Sequence, residues 1–358
     1  MSWTLLRDRS GMALILTLLA VSFLVAVTVR LSTSVNQQMQ AAANQSTAVR
    51  LDAMLLSGLN LARAALLADQ KGNEDTSDSL SDSQFDSWGT IDSALLSELF
   101  SGTLDITVTD LSGRLQANAL FWTEKEKKEW KKKQRGKNRK KDMGKLQRSL
   151  WKRFLLLENL GLEDLDEDQV AIMLDSLVDW LDPNDEKEEN GAEKEYYSGL
   201  DPSYVPTNGP MSLIESLVLV KGWDRKILYS GLKNKDKTPL NLIACLTNGE
   251  QPGMVNINTA PVPVLQALHD EMTEELAADL AAFRENEDNK ELLKEATWYR
   301  NVPGFPGNIT FDQSLITTES NLFKITVIAA DKGLRRTGEG VIRREENQEQ
   351  VLIYWKIQ

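Results

Sequence analysis

RSGMALILTLLAVSFLVAVTVR, residues 9–30, decides how the rest of the chain is read. Its core, residues 12–29, is 18 residues long, carries no charge and no proline, and lies between Arg9 and Arg30. At a rise of about 1.5 Å per helical residue it covers roughly 27 Å, close to the ~30 Å hydrocarbon core of a bilayer. A secretory signal has a shorter apolar core, then small residues at a cleavage site and the start of a folded domain. Here helix-compatible sequence continues, with neither Gly nor Pro from position 12 to 57. Apolar residues recur near helical spacing at Leu31, Val35, Met39, Ala42, Val49, Leu55, Leu56 and Leu59, with Gln37, Gln38, Gln40 and Asn44 between them. The pattern predicts one helix over about residues 12–69 whose outer half is amphipathic and needs a domain or a partner helix to cover its apolar stripe. A plain signal anchor followed by a stalk satisfies the same residues.

The 358 residues exceed the usual size of one domain, so an anchor plus two folded units is expected, and 41% hydrophobic residues suffice for real cores. Cys245 is the single cysteine, which excludes an intrachain disulfide; it lies in the apolar run LIACL, residues 242–246, and reads as a core residue. His269 is the single histidine and has no motif around it, which argues against Ser/His or Cys/His catalysis; no enzymatic activity is expected.

The net charge of −12 conceals segregation. Residues 125–153 hold 15 Lys and Arg against Glu126, Glu129 and Asp142, and residues 158–195 hold 15 acids against Lys187 and Lys194. The basic block reads as a solvated insertion that can meet the adjacent acidic block, an anionic surface or an acidic partner. Its aromatics, Trp130 and Trp151, are sparse and no reading-head motif accompanies them, so no nucleic acid is expected as a partner.

Residues 71–92 are rich in Ser, Asp and Gly and read as a linker. Residues 101–110 alternate as a strand, and strand pattern returns only at 321–330, 336–345 and 350–357, with helical pattern between. Strands at both ends of a helical stretch predict an α+β fold: a long N-terminal helix and a small antiparallel sheet, with a large, mainly helical domain inserted between strands. The predicted boundaries are a leader 1–11, a membrane half 12–30 and an amphipathic half 31–70 of the helix, and the linker 71–92. A first part of the small domain follows at 93–117, then the insertion 118–310 and the final strands 311–358.

Gly11 ahead of an apolar stretch that opens a long amphipathic helix resembles a type IV prepilin. The resemblance implies that a prepilin peptidase cuts after Gly11 and that the new terminus, Met12, is methylated. Most such chains carry a glutamate five residues into the mature sequence, where it pairs with a neighbouring subunit's terminal amine; here the position is Leu16. A carboxylate in hydrocarbon is costly unless paired, so its absence points to a subunit with none above it, at a filament tip.

Asp179, Asp182, Asp185 and Glu193 sit on a predicted helix end and on the turn forced by Pro183-Asn184. Hard oxygen ligands on a flexible loop suit calcium, although the spacing is not that of an EF-hand, and an acidic solvated loop reads the same way. This segment, with Asn190-Gly191-Ala192 and Tyr196-Tyr197, resembles the K minor pseudopilin of type II secretion systems. So do Asp110-Leu111-Ser112-Gly113, Asn118-Ala119-Leu120, YVPTNGP at 204–210, VNINTAP at 255–261 and ESNLF at 319–323. The motifs follow in the family's order over most of the chain, whereas the basic block and Lys187-Glu188-Glu189 depart from its pattern.

That resemblance implies calcium held by Asp179, Asp182, Asp185 and Glu193, and a chain with one pass through the inner membrane and its bulk in the periplasm. It further implies assembly with the I and J minor pseudopilins at the tip of the pseudopilus, where the chain helps to initiate growth for export across the outer membrane. Ala42, Val49, Ala53, Leu56 and Leu59 are the candidate partner-helix face. The competing class is a membrane-anchored, calcium-dependent periplasmic binding protein that joins no filament. Within VNINTAP, the polar residues are expected to cap a helix that buries Val264, Leu265 and Leu268.

Overall fold

The computed structural model describes residues 10–75, 81–100, 102–133, 142–162, 165–229, 241–249, 252–345 and 349–358. The leader up to residue 9, positions 76–80 of the expected linker and positions 134–141 of the basic block lie outside these.

Helix α1 runs Ser10–Asp75, 66 residues or about 100 Å. Its most apolar 18-residue window has a mean hydropathy of 2.7 and no buried residue, so one helix is long and apolar enough to cross a membrane. Side chains at 12–46 are exposed, and burial begins at Thr47. From there Leu51, Met54, Leu55, Leu59, Ala62 and Leu66 recur every three or four residues and are 0–4% exposed against a sheet.

That sheet is antiparallel and four-stranded. The strands in chain order are β1 Thr103–Asp110, β2 Leu115–Gln116, β3 Leu246–Thr247, β4 Val255–Asn256, β5 Ile316–Thr317, β6 Leu322–Asp331, β7 Leu334–Arg344 and β8 Gln350–Ile357. The large sheet has the order β1-β6-β7-β8, while β2 with β3 and β4 with β5 form two short parallel pairs inside the insertion. Along β6, Phe323, Ile325, Val327 and Ala329 alternate into the core facing α1. Gly58 allows the close approach, since a Cβ there would meet Val327 Cγ1 at 2.5 Å.

The linker reading of 71–92 needs correction. Helix α1 continues to Asp75, and beyond the undescribed 76–80 the chain packs: Asp82, Ser83 and Trp88 are buried, with Trp88 edge-on to Phe323 at 5.4 Å. Helix α2, Ser93–Phe100, then lies beside β1.

Between β1 and β6 rises the inserted unit, with helices α3 Glu124–Lys133, α4 Met143–Leu155, α5 Glu167–Leu181, α6 Lys194–Ser198, α7 Arg225–Tyr229, α8 Val262–Ala267 and α9 Glu274–Glu285. Its own core extends from Leu115 to Ile316, wider than the expected 118–310, and contains Cys245. The basic block divides. Helix α3 is largely exposed, but α4 buries Met143, Gln147, Leu150, Trp151, Phe154 and Leu155, so the second half of the block is a core helix whose cations line its outer face.

The junction is polar and largely buried. Asp110 Oδ2 accepts from Ser320 Oγ and Thr259 Oγ1, both at 2.5 Å, and from Asn256 Nδ2 at 3.0 Å, while its Oδ1 accepts from Ser112 N at 2.6 Å. Asn258 Nδ2 donates to Asp82 O and Leu293 O at 3.2 and 3.0 Å. Asn256 and Asn258 therefore bind the two units together and do not cap α8, whose start at Pro261 has no side-chain cap; Val264, Leu265 and Leu268 are buried as expected. Three of the sequence motifs, DLSG, VNINTAP and ESNLF, thus meet at one carboxylate.

Beside it, Arg344 donates to Asp82 Oδ1 at 2.6 Å, to Asp69 Oδ2 at 2.8 Å and to Leu66 O at 2.9 Å, with its guanidinium 4.5 Å from the Phe323 ring centre. It ties α1, the segment after it and β7 together.

Register fixes which way the insertion points. Arg50 bonds Asp331 at 3.0 Å, Gly58 faces Val327, and Asp69 bonds Arg344 beside Phe323, so positions later in α1 meet earlier positions of β6. Because Asp110 pairs with Phe323 and Thr103 with Ala330, the insertion leaves the sheet at the edge farthest from the apolar half of α1.

Candidate functional site

Helix α5 starts with Asp166 accepting from Gln169 N at 2.8 Å and buries Val170, Met173, Leu174, Leu177, Trp180 and Leu181. It ends at Leu181, two residues before Pro183. Asp179 lies in its last turn and is 0% exposed, Asp182 follows at 4%, and Glu193 returns beside them at 7%. Asp185 is on the exposed rim. A helix C-terminus carries the negative end of the macrodipole, so acids buried there are opposed by dipole, desolvation and one another.

Few donors compensate. Glu188 N donates to Asp179 Oδ1 at 3.0 Å, and Asn184 donates to Asp182 through N at 3.2 Å and Nδ2 at 2.8 Å. Among the described residues, Asp179 Oδ2 and both carboxylate oxygens of Glu193 are buried without a partner of good hydrogen-bond geometry, and the Ala192 and Lys194 amides only partly offset the burial of Asp179 and Glu193. Burial, then the charges of Asp179, Asp182 and Asp185, push Glu193 up to about 7. Burial, then Asp179, raise Asp182 to about 6, and Asp179 is raised by burial and then by the charges of Glu188 and Asp175. Gly191 packs so tightly that a Cβ would fall on Asp179 Oδ2.

YVPTNGP supplies the cover. Asn208, at φ +43°, donates to Asn184 O at 3.2 Å and to Asp185 Oδ1 at 3.1 Å, and Gly209 N donates to Trp180 O at 3.3 Å. The sequence marked this motif without indicating that it closes over the acidic turn.

Among the described residues, the tightest acidic group is elsewhere: Asp69, Asp82 and Asp86 have ligand atoms all within 4.8 Å of one another. Arg344 already stands between Asp69 and Asp82, so that cluster is an ion-pair centre. No sequence pattern linked these residues, which are separated by up to 275 positions.

On α1, Ala42, Val49, Ala53 and Leu56 are exposed, Val49 at 63% and Leu56 at 48%. Leu59 is 4% exposed within the helix–sheet core, which removes it from the candidate partner face. Gly11 falls within α1, and Met12 is 61% exposed.

A long, partly free N-terminal helix packed on a four-stranded antiparallel sheet, with a helical domain set into that sheet, defines a pilin-like α+β protein. Models of the type II secretion system protein K family match residues 118–231 and 255–322, together about half of the chain. The chain belongs to that family. It is also similar to the crystal structure of the GspK-GspI-GspJ complex from the enterotoxigenic Escherichia coli type 2 secretion system, with a TM-score of 0.55 and 16% identity, over 88% of this chain and 99% of that one. At that identity the likeness speaks for the fold. No curated protein sequence matches.

Proposed function

We propose that this chain is a non-enzymatic minor pseudopilin that stands at the tip of a type II secretion pseudopilus, assembles there with the I and J minor pseudopilins, and initiates the filament. The observation that carries this reading is the direction of the insertion, which leaves the sheet at the edge opposite the apolar half of α1. With α1 anchored in the inner membrane and the bulk of the chain in the periplasm, a domain of that size lies over the place a further subunit would take. Growth then proceeds only from below. The exposed face at Ala42, Val49, Ala53 and Leu56 is where the partner helices pack.

We further propose that Asp179, Asp182, Asp185 and Glu193 hold calcium. The donor set suits it chemically: among the described residues three buried carboxylate oxygens lack a well-placed partner, and carboxylates on a turn are the ligands calcium prefers, although no three of these acids bring ligand atoms within 4.8 Å of one another, so an ion would have to draw them together. Held by these four acids, a bound cation would supply the charge neutralisation that the end of α5 lacks.

The test is mass spectrometry of the chain recovered from native membranes, combined with co-purification. A terminus at N-methylated Met12 and recovery together with I and J subunits are expected. An intact leader with no pilin-like partner would overturn the reading in favour of an anchored binding protein.

A further inference from the structure

Lys221, just after the 3₁₀ turn Ile214–Leu219, lines the cavity beside Asp185 and Glu193 and, among the described residues, forms no ion pair with the acidic turn. Its Nζ lies 3.3 Å from Asn190 O and 3.1 Å from Gly191 O, and 5.3 Å from the centre of the Tyr196 ring. From the opposite side Asp175, 4% exposed and ion-paired with Arg148 of α4, accepts from Asn190 through both N and Nδ2 at 3.0 Å. Asn190-Gly191 is thereby held on its carbonyl side by an ammonium and on its N–H side by a carboxylate. This is the same dipeptide that seats Gly191 against Asp179 Oδ2 and leads into Glu193.

We propose that Lys221 is a positioning residue for the cation site: by fixing the Asn190 and Gly191 carbonyls it holds the segment that leads into Glu193 against Asp179. The proposal rests on the calcium reading above. Two physical effects of Lys221 oppose each other, which makes the sign of the test informative. A nearby ammonium repels a divalent ion through space, whereas a preorganised turn spares the ion the cost of ordering it. Lys221 spends its donors on backbone carbonyls and lies against an aromatic face, so ordering is the larger effect. Residues that orient metal ligands without binding the metal typically change affinity about 10–100-fold.

The experiment uses the full chain in detergent, stripped with chelator and titrated with Ca²⁺ alone by calorimetry, for the parent, Lys221→Met and Lys221→Arg. Lys221→Met is expected to weaken binding about 10–100-fold while melting in chelator shifts little, with Lys221→Arg recovering most of the affinity. Unchanged or tighter binding in Lys221→Met overturns the proposal. A parent that takes up no Ca²⁺ overturns the calcium reading instead, and hydrogen exchange in chelator then judges the positioning role independently. The amides of Glu188 and Asn190 are expected to exchange faster in Lys221→Met, and protection equal to the parent overturns the role.

Discussion

At the scale of single residues, one guanidinium holds the small domain together. Arg344 is 7% exposed, as is Asp69, and Asp82 is 6%, so this is a buried ion-pair cluster with two carboxylates on one cation and Asp110 and Asp86 close by. Removing one partner of a buried pair costs about 3–5 kcal/mol, because the other charge is left uncompensated. Arg344→Met is therefore expected to lower unfolding free energy by about that amount, and a loss below 1 kcal/mol in denaturant titration would sink the assignment. The same cluster predicts a pH dependence. Burial and the neighbouring Asp110 and Asp69 push the Asp82 carboxyl up against the pull of Arg344, and burial raises Asp86 to about 6. Carboxyls raised in the folded state stabilise it most below their unfolded value of about 3.9, and that contribution is lost as pH climbs through the folded values. In chelator the protein is thus expected to melt lower at pH 8.5 than at pH 5, with Asp82→Asn flattening the difference. A parent that melts equally at both, or higher at pH 8.5, contradicts this. The sequence displayed the acidic turn because Asp179, Asp182, Asp185 and Glu193 lie within 15 positions; it hid the Arg344 cluster, whose members are adjacent only through the fold.

At the scale of elements, periodicity identifies α1 and the four long strands, because a stripe at every third or fourth residue and alternation at every second survive in any tertiary context. What periodicity leaves open is which flank of a wide stripe meets the protein's own sheet. Leu56 and Leu59 are equally apolar and one turn apart, yet Leu59 is buried against the sheet and Leu56 stays 48% exposed. Their substitutions are expected to separate. Leu59→Ala leaves a cavity in the helix–sheet core and is expected to cost about 2–5 kcal/mol of stability. Leu56→Ser together with Val49→Ser is expected to leave melting nearly unchanged and to reduce recovery with the I and J subunits from membranes. Partner recovery that falls for Leu59→Ala alone, at a temperature where it stays folded, would move the interface. The basic block departs from its solvated appearance for a similar reason: its net charge outweighs in composition the apolar stripe at Leu150, Trp151, Phe154 and Leu155 that makes α4 a core helix.

At the scale of the whole molecule, strand pattern at both ends of a helical stretch is enough to read an insertion, but its direction depends on antiparallel register across α1, β1 and β6. That direction bears on Leu16. A carboxylate in the apolar half of a membrane helix costs free energy that a neighbour's terminal amine offsets, and filament subunits that must accept another above them gain from the arrangement. In the proposed tip arrangement the insertion takes that space and leaves no such neighbour, so an uncharged residue there would lose nothing. Leu16→Glu, near the start of the span where a side chain can reach the interface, is accordingly expected to remain in the membrane and to recover the I and J subunits as the parent does. Measured by co-purification from native membranes, parental recovery agrees with a capping subunit. Complete loss of assembly would mean that Leu16 is itself packed in a subunit contact, and the tip argument from this position would fail.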